Sequence, residues 1–184
     1  MMRIITGSAR GVRLATLEGN ATRPTSERVK GAIFSSIQFQ LEGRRVLDLF
    51  AGSGQMGLEA LSRGASSCTF ADASPETIAI VKENAKRCGF FDCSRFLISD
   101  FRNVIRKAAG KDLYDLIFID PPYAMDVAGD AVLRILDSGL ADRGALIAVE
   151  SGRPDPIASL PEGLTLIKAA RYSVSYVSIY RWEG

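Results

Sequence analysis

The chain of 184 residues contains no histidine. That absence excludes a Ser-His-Asp triad, a Cys-His pair and every histidine-ligated zinc site. Proton handling is left to carboxylates, tyrosine, lysine, backbone or water. Cysteine is scarce: Cys68, Cys88 and Cys93 form an odd, scattered set. Such a set is no disulfide framework and reads as buried or idle thiols. Cys88 and Cys93 have no third or fourth ligand in view, so no metal site is expected. No apolar run approaches the ~18 residues that a membrane span requires. The opening Met1-Met2-Arg3-Ile4-Ile5 lacks a signal peptide's long apolar stretch, so a cytoplasmic location is expected. Internal repeats, low-complexity tracts and interdomain linkers are likewise missing. The expected organisation is one domain over residues 1–184, with 1–40 as an extension and 41–184 as the core, and a monomer is the default.

What is present is an ordinary globular balance, 47% hydrophobic and 24% charged. The net charge of +2 is unevenly distributed. Residues 1–45 carry eight Lys/Arg against three Asp/Glu, and the remainder carries 15 against 18. A basic front end on a slightly acidic body suits a polyanionic partner held by the N-terminal segment.

The order of elements follows from periodicity. Arg3 to Thr6 and Val12 to Leu17 read as short strands of a hairpin around Gly7-Ser8-Ala9-Arg10-Gly11. Thr25 or Ser26 can cap a helix running to about Phe39, with Val29, Ile33 and Ile37 on one face. From residue 45 strands and helices alternate. Strands are expected at 45–50, 67–71, 96–99, 113–120 and 145–150, and 164–170 and 172–180 close the chain as an antiparallel pair. This pattern is that of an α/β fold, a mostly parallel, seven-stranded, doubly wound sheet with an antiparallel final strand. Ligands of such sheets bind beyond the carboxyl ends of the strands.

Two of those ends carry unusual loops. After the strand Val46-Leu47-Asp48-Leu49-Phe50 comes Ala51-Gly52-Ser53-Gly54-Gln55-Met56-Gly57. Its small residues let the backbone turn sharply and approach a ligand, and the helix that follows offers free N–H groups to an anion. Asp72, 20 residues after Gly52 at the tip of the next strand, can accept from ribose hydroxyls. So far a nicotinamide dinucleotide and S-adenosylmethionine fit equally. Asp48 shifts the balance, because a carboxylate there repels a pyrophosphate but suits a methionyl ammonium. Asp100 either reaches an adenine amino group, with Phe101 covering the ring, or simply caps a strand end. The cofactor set read here is Asp48, Phe50, Gly52, Gly54, Asp72, Asp100 and Phe101.

The second loop is Asp120-Pro121-Pro122-Tyr123, after Leu116-Ile117-Phe118-Ile119. It has no role in hydride transfer. It does suit methylation of an exocyclic amine, whose lone pair is delocalised into the base. The Asp120 carboxylate and the Pro121 carbonyl can accept from the two amine N–H groups and favour a pyramidal nitrogen. Pro121 and Pro122 fix the turn, and Tyr123 can stack on the base. No strong base is needed, which agrees with the missing histidine.

These residues bring the core to resemble class I S-adenosylmethionine-dependent methyltransferases, whose fold is Rossmann-like. The whole chain resembles the bacterial RsmD-type enzymes, through Arg3-Ile4-Ile5-x-Gly7, Arg23-Pro24-Thr25-x-x-Arg28-Val29, Asp48 to Gly54, Gly57 to Ala65, Phe118 to Tyr123 and Val149-Glu150-Ser151. The resemblance implies S-adenosylmethionine as cofactor, catalysis around Asp120 to Tyr123, and methyl transfer to N2 of a guanine in small-subunit ribosomal RNA, in the subunit or an assembly intermediate. The chain departs from the family pattern at Gly31, where an acidic residue is common. Candidate RNA phosphate contacts are Arg3, Arg10, Arg13, Arg23 and Arg28. The alternatives are adenine N6 or a protein glutamine amide as acceptor, a non-catalytic RNA-binding assembly factor, and a nicotinamide oxidoreductase.

Overall fold

The computed structural model describes residues 2–16 and 27–184. Helix α1 (Glu27–Ser36) precedes β1 (Arg45–Asp48), α2 (Gln55–Ser62), β2 (Ser67–Asp72), α3 (Pro75–Cys88), β3 (Ser94–Ile98) and α4 (Phe101–Ala108). Then follow β4 (Tyr114–Ile119), a short 3-10 turn (Tyr123–Met125), α5 (Ala128–Asp137), β5 (Ala141–Ser151), β6 (Leu164–Tyr172) and β7 (Ser175–Trp182). The seven strands form one sheet in the order β3-β2-β1-β4-β5-β7-β6. Strands β1 to β5 are parallel, and β7 runs antiparallel to both neighbours. The chain order reverses between β1 and β4, so the switch point lies between the two loops singled out above.

The core is two layers, one on each face of the sheet. Successive strand residues point to opposite faces. Thus Leu116, Phe118, Leu146 and Ala148 join Phe34, Leu58 and Val81 under α1 to α3, while Ile117, Ile119, Ile147 and Val149 join Val104 and Ile135 under α4 and α5. Burial on both faces is why these strands read as continuous apolar runs rather than alternating ones.

The N-terminal hairpin is narrower than the sequence predicts. Arg3 and Arg13 form an isolated antiparallel bridge, flanked by Ile4 N to Val12 O at 3.0 Å and Leu14 N to Met2 O at 3.0 Å. No extended strand forms on either side because the next amides face the core. Ile5 N and Thr6 N donate to the Glu59 carboxylate on α2 at 2.8 and 3.0 Å, and Ser8 N donates to Ser62 O at 2.8 Å. Helix α1 stops at Ser36, three residues short of the expected end, and Phe39 is exposed. The expected caps Thr25 and Ser26 lie outside the described residues. Strand β5 starts at Ala141, four residues before the apolar run, and its pairing with β4 shifts register between Tyr114 and Leu116.

One buried cation fastens this arm. Lys30 is fully buried, with Nζ 2.6 Å from Arg3 O and 3.4 Å from Glu59 Oε2. Arg63 adds a second contact to Glu59 at 2.8 Å. Burial pulls the Lys30 ammonium below the ordinary lysine range, against the opposing pull of Glu59.

Candidate active site

The tips of β1 and β4 are neighbours. Asp48 pairs with Phe118 across the parallel ladder, and Leu49 N donates to Phe118 O at 3.1 Å. The glycine loop therefore leaves the sheet beside the Asp-Pro-Pro-Tyr loop, both at the carboxyl edge.

Gly54 caps α2 in the left-handed region, at φ 79°. A Cβ on Gly57 would lie 2.4 Å from the Phe70 ring and 2.5 Å from Cys68 Sγ, so a side chain there would force α2 off β2. Asp48 is 2% exposed, and its Oδ2 accepts from Gly57 N at 3.0 Å. Burial pushes its carboxyl up to about 8, against the Gly57 hydrogen bond, with further upward pushes from the charges of Asp120 and Asp72. Asp72 accepts from Gly52 N at 3.2 Å and Ser74 N at 2.9 Å, which holds the tip of β2 against the glycine loop.

Asp100 acts as the N-cap of α4, accepting from Arg102 N at 3.0 Å and Asn103 N at 3.2 Å. The Asn103 side chain also donates to it. Those bonds, Asn103 N first, hold its carboxyl below the usual range. Phe101 is expected from sequence to cover an adenine ring. It is 4% exposed, packs on Phe50 at 5.3 Å between ring centroids, and lies under the Arg102 guanidinium at 4.5 Å. An amphipathic α4 must bury its first apolar residue, and Phe101 is that residue. The half-buried Phe50 stands on the loop side of this pair.

On the β4 tip Asp120 is half-buried, Pro121 buried, and Pro122 and Tyr123 exposed. The Tyr123 hydroxyl donates to Glu150 Oε1 at 2.7 Å. Burial, followed by that carboxylate, pushes the phenol up to about 12. The sequence reading attached no role to Glu150 beyond the resemblance; its position at the tip of β5, adjoining β4, is the signal that could have found it.

Of the arginine candidates, Arg3 and Arg13 stand opposite each other in the bridge of the arm. Arg3, Arg10 and Arg13 are exposed on the docked arm and Arg28 on α1, with Arg3 3.3 Å from Glu27. Arg23 lies outside the described residues. A cavity of about 460 Å³ opens elsewhere, at the amino-terminal ends of β1 to β4, lined by Arg45, Cys68, Thr69, Arg95, Asp112 and Tyr114. It faces away from both loops. Among the described residues, no helix is long and apolar enough to cross a membrane.

Known proteins match this arrangement along nearly the whole chain. The Bacillus subtilis protein YlbH, provisionally named as an rRNA methyltransferase, is 34% identical over 185 residues, covering all of both chains. Ribosomal RNA small subunit methyltransferase D of Haemophilus influenzae is 29% identical over 182 residues, covering 98% of this chain and 93% of its own. The solved structure of Escherichia coli yhhF, provisionally named a methyltransferase, superposes with a TM-score of 0.88 at 27% identity, covering 99% of this chain and 98% of that one. The family model described as Conserved hypothetical protein 95 matches residues 2–181. The chain belongs to that family.

Proposed function

We propose that the protein transfers a methyl group from S-adenosylmethionine to the exocyclic N2 amine of a guanine in small-subunit (16S) ribosomal RNA, acting as a monomer on the subunit or its assembly intermediate. The observation that carries this reading is the convergence of three carboxylates, Asp48, Asp72 and Asp120, on one strand edge. Asp48 feels both neighbours, whose charges push its carboxyl upward. Such an edge, on which Asp48 ionises when a cation is bound, disfavours a pyrophosphate and suits a ligand with a sulfonium and an ammonium. It therefore favours the methyl donor over a nicotinamide dinucleotide. The names borne by the relatives point to the same substrate class.

When bound, the cofactor supplies an electrophilic methyl. In this reading Gly52 and Gly54 let the backbone approach it, Asp48 faces its ammonium and Asp72 its ribose. Asp100 and Phe50 border its adenine, with Phe101 supporting Phe50 from beneath. Asp120 and the Pro121 carbonyl accept from the target amine, and Tyr123 stacks on the base, which is turned out of its helix. The cofactor would supply the methyl group and keep the S–C electron pair on its sulfur, while Asp120 and the Pro121 carbonyl would hold the amine nitrogen until it gives a proton to solvent. Reach is what matters: the methyl carbon and the nitrogen must meet at about 3–3.5 Å. Incubation with labelled cofactor and unmodified small-subunit particles, followed by digestion, is expected to yield labelled N2-methylguanosine. Label in N6-methyladenosine, or in protein alone, would refute the assignment.

Two measurements separate the parts. A carboxyl at about 8 holds its proton at pH 7 in the free protein. Pairing with an ammonium favours the ionised form, so cofactor binding should release about one proton. Calorimetry at pH 7 in buffers of different ionisation enthalpy reads this directly, and no release would remove Asp48 from the ammonium site. In the free protein the same raised value favours folding at acid pH, and that contribution fades as pH rises to about 8. Second, Arg10→Glu with Arg13→Glu should weaken RNA binding and flatten its salt dependence by about one unit of slope per lost contact. Cofactor affinity should not move; equal loss of both would contradict the separation.

A further inference from the structure

Glu150 is 6% exposed, and its Oε2 is buried with no hydrogen-bond partner among the described residues. A buried carboxylate oxygen without a partner is costly, so something must hold this side chain there. Its Oε1 accepts from the Tyr123 hydroxyl at 2.7 Å. The register places it beside the reacting edge, since Ile119 pairs with Val149 and the next residues are Asp120 and Glu150. Two residues on, Gly152 passes close to the base of the ring: a Cβ added there would lie 3.6 Å from Tyr123 Cβ and Cγ. β5 thus holds the hydroxyl end of the ring while the residue stays 42% exposed.

We propose that Glu150 is a positioning residue, which fixes the tilt of the Tyr123 ring through the phenolic hydroxyl and so sets the plane of the target base against Asp120. This rests on the reading of Tyr123 as the base-stacking residue. The Tyr123 hydroxyl is then required although the stacking surface is the ring alone. Tyr123→Phe keeps the ring, removes the hold and leaves Glu150 with no partner at either oxygen.

The test is a kinetic cycle on the full chain, with cofactor affinity and RNA affinity measured beside kcat. Tyr123→Phe and Glu150→Leu are each expected to lower kcat on the order of tenfold to a hundredfold, the scale of a misplaced reacting group. Both affinities should stay within about threefold, because the contacts that bind are untouched. Glu150→Gln, which keeps an accepting oxygen, should recover most of the rate. Tyr123→Phe combined with Glu150→Leu should be no slower than the slower single variant, as expected for residues acting through one bond. Multiplying losses, or a Glu150→Gln as slow as Glu150→Leu, would overturn the proposal. If Glu150→Leu does not fold, Tyr123→Phe decides alone: a kcat equal to the parent overturns it. The two readings fail separately, because an Asp120→Ala enzyme that still methylates refutes the function, whereas an active Tyr123→Phe beside a dead Asp120→Ala refutes only the role of Glu150.

Discussion

Asp120→Ala is expected to lower methyl transfer by about a thousandfold or more while leaving cofactor affinity within about threefold. Removing one preorganised hydrogen-bonding group from a developing charge costs about 10² to 10³ in kcat, and loss of the amine's orientation adds to that. Cofactor binding survives because Asp48, Gly52 and Asp72 are joined by their own bonds, Asp48 to Gly57 and Asp72 to Gly52 and Ser74. Asp120→Asn keeps an accepting oxygen and should fall between the parent and the alanine variant. Single-turnover transfer from labelled cofactor measures both. Wild-type transfer by Asp120→Ala would end the assignment of the amine to this loop.

The second large effect concerns the arm. Glu59 accepts from Ile5 N, Thr6 N and Arg63, and sits 3.4 Å from a Lys30 ammonium that has no solvent. Removing one partner of a buried ion pair strands the other charge, at a cost of about 3–5 kcal/mol. For a chain of this size that is a fall in Tm on the order of 10 °C. Glu59→Ala is therefore expected to destabilise strongly and to release residues 2–9 from α2, with loss of RNA binding. Lys30→Met together with Glu59→Gln removes both charges but keeps an acceptor for only one of the two amides, because Ile5 N bonds Oε2 and Thr6 N bonds Oε1. It should recover part of the stability. Thermal melts of the two variants check this, and a double variant no more stable than Glu59→Ala would show that charge is not what anchors the arm.

Much of this fold is legible in sequence because its strands are apolar on both faces and its punctuation is strict. Leu116 to Ile119 and Ala145 to Val149 announce central parallel strands, and Gly52, Gly54 and Gly57 mark where the backbone must turn or pack tightly. The edge carrying Asp48 and Asp120 follows from those strand ends. What sequence does not carry are contacts between distant residues. The arm's amides bond to Glu59, over fifty positions away, and so the hairpin stays short. Asp100 and Phe101 are adjacent, yet one caps α4 and the other is buried against Phe50, a distinction that only helix orientation decides. Glu150 has no local signature; only the pairing of β4 with β5 brings it to Tyr123. The starting point of β5 likewise depends on a register shift rather than on composition.

The central claim is that the tip of β1 holds the methyl source and the tip of β4 presents the acceptor. A crystal structure with S-adenosylhomocysteine tests it most directly. The expected result is a ligand seated over Gly52 to Gly54, its amino-acid end toward Asp48, its ribose on Asp72 and its sulfur facing Asp120. A ligand lodged at the opposite edge, between Arg45 and Tyr114, or one whose sulfur turns away from the Asp120 loop, would contradict it.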